Sequence, residues 1–314
     1  MKAVVFDRFG EPDVLQLRDV AEPSPGPGEV LVRVHAAGVN PVDTKVRRYG
    51  DRYGLAPPVI PGYDVSGVVE AVGEGVDDLV PGDAVFYTPP LTAHGAYAAY
   101  HVAPADLVVV KPEGLSHEEA AAIPLAACTA WQALVDRAGI GPAETVLIHG
   151  GGGVGHFAVQ IAAAAGAEVV VVGSPAMEDA LLGLGADAFV SYEDGDRFVD
   201  VARDLTGGLG ADVVLDTVGG DTLERSVPAL AEHGRMATIV GDAAGAFGKA
   251  YQKNGTVHLV FMERDGGMLD RIARLAERGL LRPLVADVLP LAEAAEAHRR
   301  LEAGGVHGKL VLTP

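Results

Sequence analysis

The 314-residue chain has a single cysteine, Cys128, and that scarcity excludes several chemistries at once. One thiol closes no intrachain disulfide and supplies no Cys pair for a zinc finger or an iron–sulfur cluster. Basic residues are also short: 24 Lys plus Arg face 43 Asp plus Glu, a net charge of −19. Such a surface repels phosphate backbones and anionic lipid, so neither nucleic acid nor membrane is expected as a partner. The densest cationic group, Arg47, Arg48 and Arg52, is interrupted and followed by acidic sequence, and it reads as a solvated loop. No run of about 18 apolar residues occurs, and Asp7 interrupts the first segment before a signal-peptide core develops. A cytoplasmic protein is expected.

What is present changes character along the chain. Residues 1–120 show short alternating segments such as VLVRVHAAGV and VSGVVEAVG between Pro and Gly punctuation, the pattern of an antiparallel β domain. Over 121–280, apolar runs of strand length (TVLIHG, EVVVVG, AFVSY, DVVLDTV, RMATIV, TVHLVF) alternate with helical stretches, which predicts an α/β doubly wound parallel sheet. Residues 281–314 return to strand, helix and a short closing strand, KLVLT, expected to complete the first domain.

The strongest chemical signal is ETVLIHGGGGVGHFAVQIA, in which Gly150, Gly152 and Gly155 fit G-x-G-x-x-G between a strand and a helix. Gly150 permits the turn, Gly152 admits a pyrophosphate to the backbone, Gly155 lets helix and strand pack, and Gly153 and Val154 complete the helix N-terminus. The second strand ends in Gly173, Ser174 and Pro175, with no carboxylate to claim a ribose 2′-hydroxyl and no nearby Arg or Lys to attract a 2′-phosphate. That balance favours NADPH, with NADH possible, and makes Ser174 the polar contact.

These motifs, with PGPGEVLVRVHAAGVNPVDTKVR, PGYDVSGVVEAVGEGV, GAYAAYHVAP, AAAIPLAACTAWQAL, DTVGG and HRRLEAGGVHGKLVL, resemble the zinc-free quinone oxidoreductase, or zeta-crystallin-like, group of the medium-chain dehydrogenase/reductase superfamily. The resemblance implies a GroES-like substrate domain from the two ends of the chain and a Rossmann dinucleotide-binding domain in the middle. Zinc-dependent members carry a cysteine where this chain has Asn40 and a histidine where it has Tyr63; neither is a zinc ligand, so no metal is expected. Without a Lewis acid the expected reaction is hydride transfer to an acceptor that is already electrophilic, a quinone or an α,β-unsaturated carbonyl.

By the same resemblance Asn40 lies near the nicotinamide and can donate a hydrogen bond to the acceptor oxygen, with a turn residue before Pro41 as the plainer alternative. Tyr49 and Tyr53 compete as a substrate-contacting proton donor, Tyr53 being preferred. Thr129, Val218, Val240 and Gly241 are implied at the cofactor, and Lys309 either reaches the cofactor or finishes a surface strand. Cys128 reads as a buried inert thiol, and the histidines as hydrogen-bonded or surface groups. An enoyl-thioester reductase, drawing on Arg47, Arg48 and Arg52, and a weakly catalytic NADPH-binding sensor or crystallin-like protein are the alternatives. The lightly charged strand TVHLVFM predicts a homodimer.

Overall fold

The computed structural model describes residues 1–241 and 243–314. Its contacts divide the chain into two compact units, residues 1–126 with 264–314, and residues 127–263. In the first unit the N-terminal strands are β1 (Lys2–Val5), β2 (Gln16–Asp19), β3 (Glu29–Val39), β4 (Val65–Val72), β5 (Ala84–Tyr87), β6 (Tyr100–Pro104) and β7 (Val109–Val110). The second unit carries β8 (Thr145–His149), β9 (Glu168–Gly173), β10 (Ala188–Ser191), β11 (Ala211–Asp216), β12 (Leu230–Thr238) and β13 (Thr256–Leu259). Finally β14 (Val285–Pro290) and β15 (Lys309–Thr313) return to the first unit.

The first unit's main sheet runs β14-β15-β3-β4-β5-β7, with β6 also on β3. β3 is antiparallel to β4, β6 and β15, while β14 and β15 are parallel. Its register decides what meets at one sheet end. Val39, the last residue of β3, faces Leu310, and Ala37 faces both Val65 and Leu312. Residues just past the ends of these strands, Asn40 and Asp64, are thereby brought to Lys309, although the sequence separates them widely. Phe6, Val39, Val46, Tyr63, Tyr97, Leu310 and Leu312 belong to the apolar cluster beneath.

The second unit is a six-stranded parallel sheet in the order β10-β9-β8-β11-β12-β13. Val146, Leu147, Ile148 and Val169–Val171 are fully buried, as strands covered on both faces require. Strand order reverses between β8 and β11, so their carboxyl ends open a crevice where doubly wound sheets bind ligands.

The units divide at residue 264 rather than at 281. The helix Gly266–Glu277 follows a strand and reads as one more repeat of the parallel domain, but it lies with the first unit. Gly266 presses so close to the Asp106 carbonyl that a Cβ there would come within 2.1 Å of it, and Met268, Leu269 and Ile272 are buried. A second departure is local. Residues 41–49, which hold Arg47 and Arg48 of the stretch read as a solvated loop, are helical: Asn40 caps the helix, Pro41 starts it, and the Asp43 carboxylate accepts the Asn40 backbone N–H at 2.6 Å.

Candidate active site

In the second unit the glycine loop follows β8 directly. Gly150 has φ +95°, and a Cβ on it would strike Thr217 Oγ1 at 2.3 Å and Val218 Cγ2 at 3.1 Å, so both its conformation and its space demand glycine. Gly155 opens the helix Gly155–Ala164 with its α-carbon against the Gly150 carbonyl, 1.6 Å from where a Cβ would sit. Gly152 differs: nothing lies within 4 Å of its missing side chain, and its φ is not in the left-handed region. The space that glycine keeps open there belongs to no protein atom.

The Gly152 carbonyl accepts the His156 backbone N–H (3.1 Å) and the His156 Nδ1–H (2.8 Å), which fixes the loop from behind. The preceding N–H groups, at Gly152, Gly153, Val154 and Gly155, are those that a helix leaves without an intrahelical acceptor. This open cradle with its outward donors fits a dinucleotide pyrophosphate.

The turn after β11 closes the same mouth. Asp216, fully buried, accepts the backbone N–H groups of Val218 and Gly219 at 2.8 and 2.9 Å through Oδ1, and the Thr238 hydroxyl at 3.0 Å through Oδ2. That pins Val218, exposed, against Gly150, and brings Gly219 (φ +88°) against Val240. Gly241 follows with φ +88° in open space. Thr129 and Cys128 are buried in the same unit.

Beyond the tip of β9 a cavity of about 340 Å³ is lined by Gly150, Gly151, Gly173, Ser174, Tyr192 and Arg225, among others. No carboxylate lines it among the described residues. Arg225 was invisible in the sequence: it arrives on the short helix Thr222–Arg225, half a domain away from Ser174 in the chain, and pairs with Asp196 at 2.6 Å. The absence of a cation near the strand tip therefore does not hold in three dimensions. His149, which also lines this cavity, is neutral: burial pushes its pKa down to about 4. Ser226 Oγ donates to the Thr222 carbonyl (2.7 Å), so it accepts the His149 Nε2–H (2.8 Å) and settles the tautomer.

In the first unit Asn40, Asp64 and Lys309 form one buried cluster. The Lys309 ammonium donates to Asn40 Oδ1 and to Asp64 Oδ2 (3.2 Å). Asn40 Nδ2 donates to Asp64 Oδ2 at 2.7 Å, while Asp64 Oδ1 accepts the Leu125 backbone N–H, also at 2.7 Å. Burial raises the Asp64 carboxyl above its usual range, against the downward pull of the ammonium. The carboxamide is thus locked in one orientation, with one Nδ2 hydrogen uncommitted by these bonds. Lys309 is no surface-strand residue; its side chain is 4% exposed.

A zinc ion does not fit this cluster. The two positions at which zinc-dependent relatives carry ligands hold Asn40, whose oxygen is occupied by an ammonium, and Tyr63, whose hydroxyl donates to the Leu91 carbonyl (3.4 Å). A divalent cation there would sit against the buried positive charge of Lys309. Among the described residues no cluster of three or more His, Cys, Asp or Glu side chains could hold a metal.

The two tyrosines part company. Tyr49 is exposed with the Arg52 guanidinium 4.8 Å over its ring, whereas Tyr53 is partly buried against the cluster that contains Tyr63 and Tyr97. The side-chain hydrogen bonds of Asn40 and Lys309 among the described residues go to Asp43, Asp64 and each other, not to either tyrosine. The solvated basic loop also needs correction. Arg47 is completely buried, donating to the Gly10 carbonyl (2.9 Å), to His298 Nδ1 (3.0 Å) and to Glu302 (2.6 Å). Of the three arginines only Arg48, paired with Glu11, and Arg52 remain near the surface. A recognition patch built on all three does not exist.

Comparison with known proteins gives two family matches. The alcohol dehydrogenase GroES-like domain matches residues 26–113, and the zinc-binding dehydrogenase family matches residues 184–312. Over its whole length the chain is 35% identical to quinone oxidoreductase of Sus scrofa, covering 99% of this chain and 97% of that protein. The chain belongs to the quinone oxidoreductase group of the medium-chain dehydrogenase/reductase superfamily. As a member of this group it is an NAD(P)H-dependent oxidoreductase. A 2-haloacrylate reductase of Burkholderia sp is 33% identical, with 99% and 98% of the two chains covered. The crystal structure of an NAD-dependent alcohol dehydrogenase superposes with a TM-score of 0.93 at 38% identity over both complete chains. This quinone oxidoreductase homologue thus shares its fold with proteins named for different acceptors and cofactors. No helix of the described residues is long and apolar enough to cross a membrane.

Proposed function

We propose that the protein is a zinc-independent, NADPH-dependent reductase of quinones or α,β-unsaturated carbonyl compounds. The observation that carries this reading is the Asn40–Asp64–Lys309 cluster, which fixes a hydrogen-bond donor, the Asn40 carboxamide, at one of the two positions where zinc-dependent relatives carry metal ligands. Donors of this kind stabilise an oxygen that gains charge, and they do not activate an alcohol by ionising it on a metal. The bound nicotinamide would supply the hydride.

In this reading Asn40 offers its uncommitted Nδ2 hydrogen to the acceptor oxygen. Lys309 fixes the carboxamide and has a third N–H for the cofactor, and Tyr53 is the candidate proton donor to an enolate. Gly150, Gly152, Gly153, Val154 and Gly155 would hold the pyrophosphate, with Thr129, Val218, Val240 and Gly241 around the nicotinamide half. The preference for NADPH draws support from Ser174, Tyr192 and Arg225 on a cavity wall without a carboxylate. The chain is further proposed to act as a cytoplasmic homodimer. β13 stands at the edge of its sheet, and exposed Leu259 and Phe261 lie on and just beyond it.

The test is consumption of NADPH and of NADH against a panel of quinones, enones and enoyl thioesters. The reading expects turnover with the first two classes and a higher kcat/KM for NADPH. Turnover confined to enoyl thioesters would replace the substrate class.

A further inference from the structure

Behind Asn40 the first unit contains a second set of buried polar side chains that the proposed reaction does not use. The Asp43 Oδ2 accepts the Asn40 backbone N–H (2.6 Å) and the Tyr97 hydroxyl (3.1 Å), while Asp43 Oδ1 is buried without a hydrogen-bond partner among the described residues. Tyr97 Oη is in turn 3.3 Å from His298 Nε2, and His298 Nδ1 is 3.0 Å from Arg47 Nη1. A guanidinium only donates, so Nδ1 accepts, and the neutral ring keeps its proton on Nε2 for the Tyr97 oxygen. Every donor in the series therefore points toward Asp43. Arg47 ends it in an ion pair with Glu302 and does not give up its proton, so the series is an anchor and not a proton wire.

We propose that Asp43 is a positioning residue for the reduction: anchored through Tyr97, His298 and Arg47, its carboxylate holds the backbone of Asn40 and so sets the carboxamide that serves the acceptor. The inference rests on the reading of Asn40 as the donor to that acceptor. The ionisable groups facing Asp43 come from three places: Tyr63 and Asp64 before β4, Lys309 on β15, and Tyr97 between β5 and β6, with His298 and Arg47 behind Tyr97. Burial, reinforced by Asp64, pushes the Asp43 carboxyl up to about 7, against the downward effects of the Asn40 N–H, Lys309 and Tyr97. Above that pH the bond to Asn40 is charge-assisted. Below it a proton, carried on the partnerless Oδ1, weakens the bond.

The experiment is the pH profile of kcat, from about pH 5.5 to about 8.5, for NADPH with 1,2-naphthoquinone in the full-length protein and three variants. Wild type should gain rate with pH through an inflection near 7. Asp43→Asn should lose the inflection and roughly tenfold in kcat with KM for NADPH unchanged. Tyr97→Phe, which removes a bond to the charged form without removing the ring, should move the inflection upward. An inflection that is unchanged in both variants, or missing from wild type, overturns the proposal. Asn40→Ala separates the two readings. If it leaves turnover intact, the role of Asn40 falls and this inference with it; if it slows turnover while the inflection survives Asp43→Asn, only the positioning role falls.

Discussion

The Lys309 ammonium and the Asn40 carboxamide oxygen are hydrogen-bonded inside the first unit although 269 positions separate them in the chain. The pairing of β15 with β3 makes this possible, and Asp64 balances the charge. Removing the ammonium while keeping the chain's length should therefore do two things. Lys309→Met leaves Asp64 buried without its counter-charge, and a cost of about 3 kcal/mol is expected from breaking a buried pair. It also frees the Asn40 amide to rotate. Thermal unfolding should show the loss of stability, and quinone reduction should fall in the fraction that remains folded. A variant as stable as wild type would mean that the ion pair is not formed.

For the glycine loop, Gly152→Val separates binding from folding. The position is open and free of left-handed strain, so the melting temperature without cofactor should stay near that of wild type. A hundredfold excess of NADPH over its Kd should stabilise wild type by about 2.7 kcal/mol and leave the variant unmoved. A cofactor-induced shift retained in the variant would place the pyrophosphate elsewhere. Gly155→Ala provides the contrast, since its methyl group would collide with the Gly150 carbonyl and impair the fold itself.

Much of this was legible in the sequence because local backbone demands leave local marks. Gly150 and Gly155 are glycines for reasons that lie within six residues or at the neighbouring strand end. The six apolar runs are the six parallel strands. Arg47 was not legible. Whether an arginine on a short amphipathic helix faces water or the interior depends here on His298 and Glu302, 251 and 255 positions away. Arg225 reached the cavity beside Ser174 by the same kind of long-range placement. The helix Gly266–Glu277 belongs to the first unit but read as part of the parallel domain, because periodicity reports an apolar face and not what that face packs against.

Cofactor preference should respond to a single charge at the tip of β9. Ser174→Asp places a carboxylate on the wall that now lacks one, which repels a 2′-phosphate and offers an acceptor to a ribose hydroxyl. The ratio of NADPH to NADH affinity, read by nicotinamide fluorescence, should fall by roughly tenfold or more, a shift of about 1.4 kcal/mol. An unchanged ratio would move the adenosine ribose away from Ser174.

Acid should destabilise the second unit through His149. Its folded pKa of about 4 lies below the usual histidine value near 6.5, so the unfolded chain takes up the proton first. The stability it contributes is present above about pH 6.5 and is lost as pH falls toward 4. His149→Gln keeps a donor for Ser226 without a titrating group. Its stability, from denaturant unfolding, should fall less than that of wild type across this window; parallel curves would show that His149 is not neutral when buried.

The reaction proposed for this site is reduction of an electrophilic acceptor without a metal. The most direct measurement is NADPH-dependent reduction of 1,2-naphthoquinone and of an enone by chelator-treated protein whose zinc content has been determined by elemental analysis. Full turnover is expected with negligible zinc, with no gain on adding zinc. Stoichiometric zinc retained through chelation, or activity that appears only when zinc is restored, would contradict it.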